Sequence, residues 1–324
     1  MKAESEPSIA KPNRDLAIDR IRGALVILMV AGDFAGGVNW VPAFLKHAPD
    51  IGFTIADTVA PIFVFLIGLN FGPSFKRRLS QHRVGGYRHF FTRYLSLTGI
   101  GAIISAGADL ADRPEGWGVL QSLGVAGLLT LIFIKLPIWA RFVSGLVILC
   151  GYQYLLDAYF LENVLGSGHG GFFGAISWTA LLILSTAVAD IWRKGMKPFL
   201  VCNAALIAAA TISAFIVPVS KNRVSLSYIL ISLAMSSLVF LIVKALSRFS
   251  SEKEGLLCWW GKNSLALYLL HLLVLSVFGL PPAPWWYVEA TPWLSLVQLA
   301  GVLAFLSFLA WRISHYRFNN NSNH

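Results

Sequence analysis

Long apolar stretches separated by short polar ones run along this chain from residue 16 almost to its end. Ten can be marked: 16–36, 57–75, 90–108, 117–135, 138–157, 171–191, 198–217, 225–246, 256–278 and 293–313. Each is close to the length of about twenty residues that an α-helix needs to cross a hydrocarbon layer. None alternates apolar and polar residues as a strand of a membrane barrel would. In lipid the backbone must satisfy its own hydrogen bonds, which leaves helix as the conformation for every run. The predicted fold is all-α: a polytopic membrane bundle of about ten transmembrane helices. Runs four and five are divided by a tight turn at Lys135 and Pro137. The expected organisation is an N-terminal segment 1–15, a transmembrane domain 16–313 and a disordered, Asn-rich tail 314–324. The polar start through Asp15 predicts no cleavable signal peptide, so the first run stays as an anchor. No repeat of fixed period and no inverted halves are visible.

Composition agrees with this pattern. The 324 residues are 56% hydrophobic and 13% charged, and the mean hydropathy is +0.66. Soluble domains carry about 25% charged residues, so the usual water-facing surface cannot be built. The net charge of +10 would suit nucleic acid, but the cations cluster in short segments between apolar runs and face a membrane instead. With the N-terminus in the cytoplasm, 22 of the 26 Lys and Arg residues fall on that side. Only Lys46, Arg113, Lys221 and Arg223 fall on the other. This positive-inside split predicts that both termini are cytoplasmic. Lys76, Arg77, Arg78, Arg83, Arg88 and Arg93, all in the second loop, dominate it. Cys150, Cys202 and Cys258 show no CxxC spacing, so no disulfide framework and no metal is expected.

Polar residues at membrane depth carry the candidate chemistry. Asp33 lies near the outer end of the first run, and His47 lies in the loop that follows. A carboxylate on one imidazole nitrogen fixes the tautomer and raises basicity, leaving the other nitrogen to take a proton from an amine or hydroxyl. The alternative is a water-exposed His and an Asp at the interface. Asp57 opens the second run, either as a helix N-terminal charge or in a functional role. Asp19 and Arg22 are spaced i,i+3, as in a structural salt bridge, and Arg22 could also meet a phosphate. Lys221 and Asn222 sit between runs seven and eight. Asn263 and His271, eight residues apart, would share one face of a continuous helix, where they could serve a site or simply bond helices together. Gly168-His169-Gly170-Gly171 looks like an oxyanion motif but lacks a nucleophile elbow after it, and is discounted.

Four motifs in order carry a resemblance. The first runs from Ile18 to Phe75 and includes Gly32-Asp33-Phe34-Ala35-Gly36-Gly37, Lys46-His47-Ala48 and Phe53-Thr54-Ile55-Ala56-Asp57. The others are Gly118-Val119-Leu120-Gln121-Ser122-Leu123-Gly124, Pro218 through Tyr228, and Gly261-Lys262-Asn263-Ser264-Leu265. Together they resemble the heparan-α-glucosaminide N-acetyltransferase family of transmembrane acyltransferases, over about residues 16–313. The resemblance implies an acetyl-CoA-dependent enzyme, with the donor in the cytosol and the acetylated glucosamine on the far side of the membrane. It matches the family's catalytic His to His47 and a family Asn to Asp33. An ionised carboxylate only accepts hydrogen bonds, whereas an amide also donates, so Asp33 either strengthens His47 as a base or marks a different acceptor. The lysosomal members' large luminal domain has no counterpart here, so a minimal, bacterial-type member of an inner membrane is expected.

The expected site follows from that resemblance and from topology. His47 and Asp33 are the catalytic pair. Asp57, Lys221, Asn222, Asn263 and His271 serve the substrate or the oxyanion. Arg22, Arg77 and Arg78 hold the nucleotide of CoA, and Gln121 and Ser227 line the path of its pantetheine arm. The partners are CoA, an amino sugar or glycan, and the bilayer. A homodimer is compatible with the sequence but not specified by it. The competing class is a transporter or flippase for a glycolipid or small metabolite, which would spread charges along several helices and show internal symmetry.

Overall fold

A computed structural model describes residues 15–110, 116–249 and 253–322. Residues 1–14, and with them nearly all of the N-terminal segment, lie outside it, as do 323–324. All regular structure among the described residues is helical. The longer helices are α1 (Leu16–Gly36), α2 (Val59–Gln81), α3 (Arg83–Leu110), α4 (Val119–Phe133) and α5 (Ile138–Leu155). A short α6 (Leu161–Leu165) follows, then α7 (Gly171–Lys194), α8 (Met196–Ile216), α9 (Leu226–Leu246), α10 (Leu256–Lys262), α11 (Ser264–Phe278) and α12 (Pro292–Ser322). Every apolar run is helical. The helix of the last one continues to Ser322, across most of the stretch where the sequence predicts a disordered tail.

Among the described residues, six helices are long and apolar enough to cross a membrane: those containing α2, α5, α7, α8, α9 and α12. The pair α10–α11 makes a seventh if it is one span. Polar groups keep α1 apart, since it carries Asp19, Arg20, Arg22 and Asp33, and α4 is only 15 residues long. Burial sorts the helices into layers. In the apolar window of α7, 83% of residues are buried; in those of α5, α8 and α12 only 28% are. So α7 is the axis and the others present apolar faces outward. Phe215 on α8, 88% exposed, is such an outward side chain. Small residues on α7, such as Ala180, Ser185 and Ala187, let its neighbours approach, as bundles in lipid require. Gly68 of α2 packs directly on Ser185. A second apolar cluster joins Val26 and Val30 of α1 to Trp260, Leu267, Val302 and Leu306.

Run nine departs from expectation. It breaks by 90° between α10 and α11, with Asn263 at the corner. The Asn263 amide donates to the Trp259 carbonyl and to Ser314 Oγ, both at 2.9 Å. It thereby ties the broken turn to α12. Asn263 and His271 therefore do not share the face of one helix, and the eight-residue spacing carries no such meaning.

The break lets α10 lie against α1 at backbone distance. A Cβ on Gly261 would fall 1.9 Å from the Asp19 carbonyl oxygen, and one on Gly23 would fall 2.0 Å from that of Leu257. Backbone atoms cannot swing aside, so Gly261→Ala must push the helices apart. Overpacking of this kind costs about 1–3 kcal/mol. A clear fall in the thermal midpoint of the detergent-solubilised protein is expected; an unchanged midpoint would mean that the two helices do not meet this closely.

Candidate active site

The site is built where the loop after α1 meets the loop between α8 and α9. Two 3₁₀ turns, Ala43–Leu45 and Ala56–Thr58, shape the first loop, and Gly52 takes a φ of +140° that disfavours any other residue. At its end Asp57 gathers the loop's donors. Asp57 Oδ2 accepts from the Thr54 amide and hydroxyl, both at 3.0 Å, and from the Ala48 amide at 3.3 Å. Asp57 thus sits in the 3₁₀ turn that leads into α2, with its side chain folded back on the loop. Its other oxygen does something further: Oδ1 lies 2.7 Å from His47 Nδ1. The Asp57 side chain is fully buried, while that of His47 is 45% exposed. An ionised carboxylate only accepts, so Nδ1 carries the proton and Nε2 keeps its lone pair. The geometry leaves that nitrogen free to take a proton from an incoming group. Tyr228 donates its hydroxyl to the Asp57 carbonyl at 2.9 Å and braces the turn from α9.

The second loop docks on the first through charge and backbone. Arg223 Nε donates to both oxygens of Asp50 at 3.1 Å, and Ser220 donates to Asp50 at 2.8 Å. The Asn222 amide donates to the Pro49 carbonyl, and the Gly52 amide donates to Val219 O at 2.8 Å. This docking brings Lys221 Nζ to 4.0 Å from Asp57 Oδ1. The Arg223 hydrogen bond holds the Asp50 carboxyl below its ordinary range, against the opposite pull of partial burial. A depressed carboxylate contributes fully above its unfolded pKa of about 3.9 and loses that contribution as pH falls through the lower folded value. Docking of the two loops should therefore hold from neutrality to about pH 4 and weaken only below. Amide exchange at Gly52 would report it, and Arg223→Gln should abolish the acid step. Loss of protection already between pH 7 and 5 would show that Asp50 is not the latch.

The sequence-derived pairing of Asp33 with His47 does not form. Asp33 Oδ2 instead lies 2.9 Å from Nε2 of His271, which is fully buried. The reason is tertiary. The break at Asn263 turns α11 so that His271 meets Asp33 in the C-terminal half of α1, while Asp57 holds His47 in the loop after α1. Lys46 Nζ donates to Val38 O at 2.6 Å and holds that loop in place. The Asp19–Arg22 approach is present at 3.8 Å.

Other expected site residues are spread through the fold. Gln121 accepts from the Gly118 amide at 2.5 Å and from Ser105 at 3.1 Å, joining α3 to α4. Ser227 donates to Pro218 O at 3.1 Å within the second loop. Arg22 and Arg77 meet, with Arg93, in a cavity of about 670 Å³ between α1, α2 and α3, to which Asn70 and Ser74 add polar walls. Arg78 does not line it. The α2 residue of the cavity nearest to Asp57 is Ile67, ten positions on, or about 15 Å along a helix.

One residue of the region was passed over. His169, on the turn before α7, has a φ of +52° and lies close enough to Lys221, His47 and Asp57 to feel them electrostatically. Its Nδ1 is buried with no hydrogen-bond partner among the described residues. It belongs to the discounted Gly-His-Gly-Gly stretch.

The family model described as "Heparan-alpha-glucosaminide N-acetyltransferase, catalytic" matches residues 14–175. The chain belongs to this family. Heparan-alpha-glucosaminide N-acetyltransferase of Homo sapiens is 34% identical over 137 residues, covering 39% of this chain and 20% of that protein. The Mus musculus protein of the same name is 33% identical over 132 residues, covering 38% of this chain and 19% of its own length. The match thus spans about a fifth of the curated relatives. Within the family's catalytic match fall Asp33, His47, Asp57 and His169; Lys221, Asn222, Asn263 and His271 lie beyond it.

Proposed function

We propose that this chain is a transmembrane acyltransferase that moves an acetyl group from cytosolic acetyl-CoA to an amine or hydroxyl of an amino sugar or glycan on the opposite side. The carrying observation is the His47–Asp57 pair at 2.7 Å, its carboxylate buried and its imidazole open. In this reading ten helical segments cross the membrane: the six apolar ones, the broken α10–α11, and α1, α3 and α4. Both termini and the basic end of α2 face the cytoplasm, in the inner membrane of a bacterium, and Asp57 lies at the outer end.

His47 Nε2 takes a proton from the acceptor as its nitrogen or oxygen bonds to the thioester carbonyl carbon. Asp57 orients the ring and stabilises the imidazolium that forms. Lys221, held beside Asp57, faces the charge developing on the carbonyl oxygen, where such groups contribute several kcal/mol. The carbon–sulfur bond then breaks, and His47 returns its proton to the departing thiolate. A ping-pong route through acetyl-His47 is the chemical rival; an acylated histidine trapped without acceptor would exclude direct transfer as the sole route.

The nucleotide of CoA suits the cavity of Arg22, Arg77 and Arg93, because guanidinium groups pair with phosphates bidentately. Excess acetyl-CoA should raise the thermal midpoint of the solubilised protein. Arg22→Ala with Arg77→Ala should remove that shift, and His47→Ala should keep it. No shift in the native chain would count for the transporter class instead.

A further inference from the structure

A second basic cavity lies across α2 from the first. Its volume is about 560 Å³. Gly72, Phe75, Lys76 and Leu79 line it, spaced as one stripe of a helix. The first cavity uses Asn70, Pro73, Ser74 and Arg77 of the same helix. The two cavities are thus back to back, with different walls. The far side of the second is formed by the α4–α5 turn and the end of α7.

Its chemistry is that of an amphiphile's headgroup. Phe75, Leu79, Ile134 and Leu136 make the walls apolar. Around them stand five cations, Lys76, Lys135, Arg141, Arg193 and Lys194, against one carboxylate, Asp190. That carboxylate is already shared, by Arg141 from one side and by Arg193 at 2.7 Å from the other. Arg141 is itself buried and spends further donors on Leu136 O at 3.1 Å and Thr186 at 2.9 Å. Asp190 therefore cannot neutralise Lys76, Lys135 and Lys194, which are exposed. Trp139, next in sequence to the cavity residue Ile138, is 70% exposed. An outward indole marks the level of lipid headgroups.

We infer that this cavity binds the phosphate headgroup of an anionic phospholipid, with the acyl chains running along the outward face of α5. Basic pockets between membrane helices on the cytoplasmic side take such headgroups. The inference rests on the proposed orientation only for the leaflet concerned.

The test uses the full chain in neutral detergent, titrated separately with phosphatidylglycerol, phosphatidylcholine, inorganic phosphate and acetyl-CoA. Thermal midpoint and native mass are read in each. Phosphatidylglycerol alone among the two lipids and phosphate should raise the midpoint and stay bound in the mass spectrum. Combining Lys76→Gln, Lys135→Gln and Lys194→Gln should weaken it on the order of a hundredfold, at about fivefold per lysine. The matching Lys→Arg variant should keep it, which separates charge from folding. The acetyl-CoA shift should be the same in native and Gln-substituted chains. An undiminished phosphatidylglycerol response in the Gln variant, or an equal response to phosphatidylcholine, would overturn the inference. So would a response to phosphate or acetyl-CoA that the Gln variant loses, because the cavity would then take a soluble phosphate. Absence of any acetyl-CoA shift beside an intact lipid response would instead strike only the donor reading.

Discussion

Replacing His47 with alanine should lower acetyl transfer by about 10²–10⁴-fold, the range that a positioned general base supplies. The side chain is 45% exposed and, among the described residues, hydrogen-bonds Asp57, so the fold should tolerate the change. Donor affinity should be preserved, because the cavity of Arg22, Arg77 and Arg93 begins about 15 Å along α2 from Asp57 and has neither His47 nor Asp57 in its walls. The diagnostic pattern is lost turnover with an unchanged acetyl-CoA thermal shift. Turnover near the native rate would remove His47 from the mechanism. Loss of both turnover and donor binding would mean a structural role instead.

Asp57→Asn should be nearly as severe and should also cost stability. The native carboxylate receives His47 Nδ1, the Thr54 amide and hydroxyl and the Ala48 amide, with Lys221 at 4.0 Å. An amide in its place turns one acceptor into a donor that faces other donors. The buried mismatch costs about 1–3 kcal/mol. The imidazolium formed during transfer also loses its counter-charge, so turnover should drop steeply while the acetyl-CoA shift remains. Asp33→Asn is the contrasting case. Asp33 bonds His271 rather than His47, and an amide oxygen can still accept from that ring, so this variant should stay active. An inactive Asp33→Asn beside an active Asp57→Asn would reverse the two roles.

Much of this architecture is legible in the chain. Runs of about twenty apolar residues have one stable conformation in lipid, so the helical class and the ten apolar runs follow from hydropathy, whereas the short α6 and the division of run nine do not. Of the residues gathered at the candidate site, His47, Asp57, Lys221 and Asn222 stand out in the sequence as polar groups beside apolar runs, whereas Asp50 does not. Their pairing is not legible there. Asp57 lies ten positions after His47 and Asp33 fourteen before it, and no periodicity connects either to a ring on an irregular loop. The 3₁₀ turns and the docking of Asp50 on Arg223 decide the partner. The break at Asn263 was hidden for a similar reason. Leu256 to Phe278 reads as one apolar run, and only the approach of Gly261 to the Asp19 backbone shows why it bends. Nothing in Gly168–Gly171 itself signals the turn that brings His169 near Lys221, His47 and Asp57.

The central claim is transfer across the bilayer through His47. Proteoliposomes with labelled acetyl-CoA on the side of the α2 basic end and glucosamine on the side of His47 test it most directly. Labelled N-acetylglucosamine should accumulate on the glucosamine side, with CoA released on the other, and His47→Ala should abolish it. Label that crosses as intact acetyl-CoA, or product that forms equally with His47→Ala, would contradict the account.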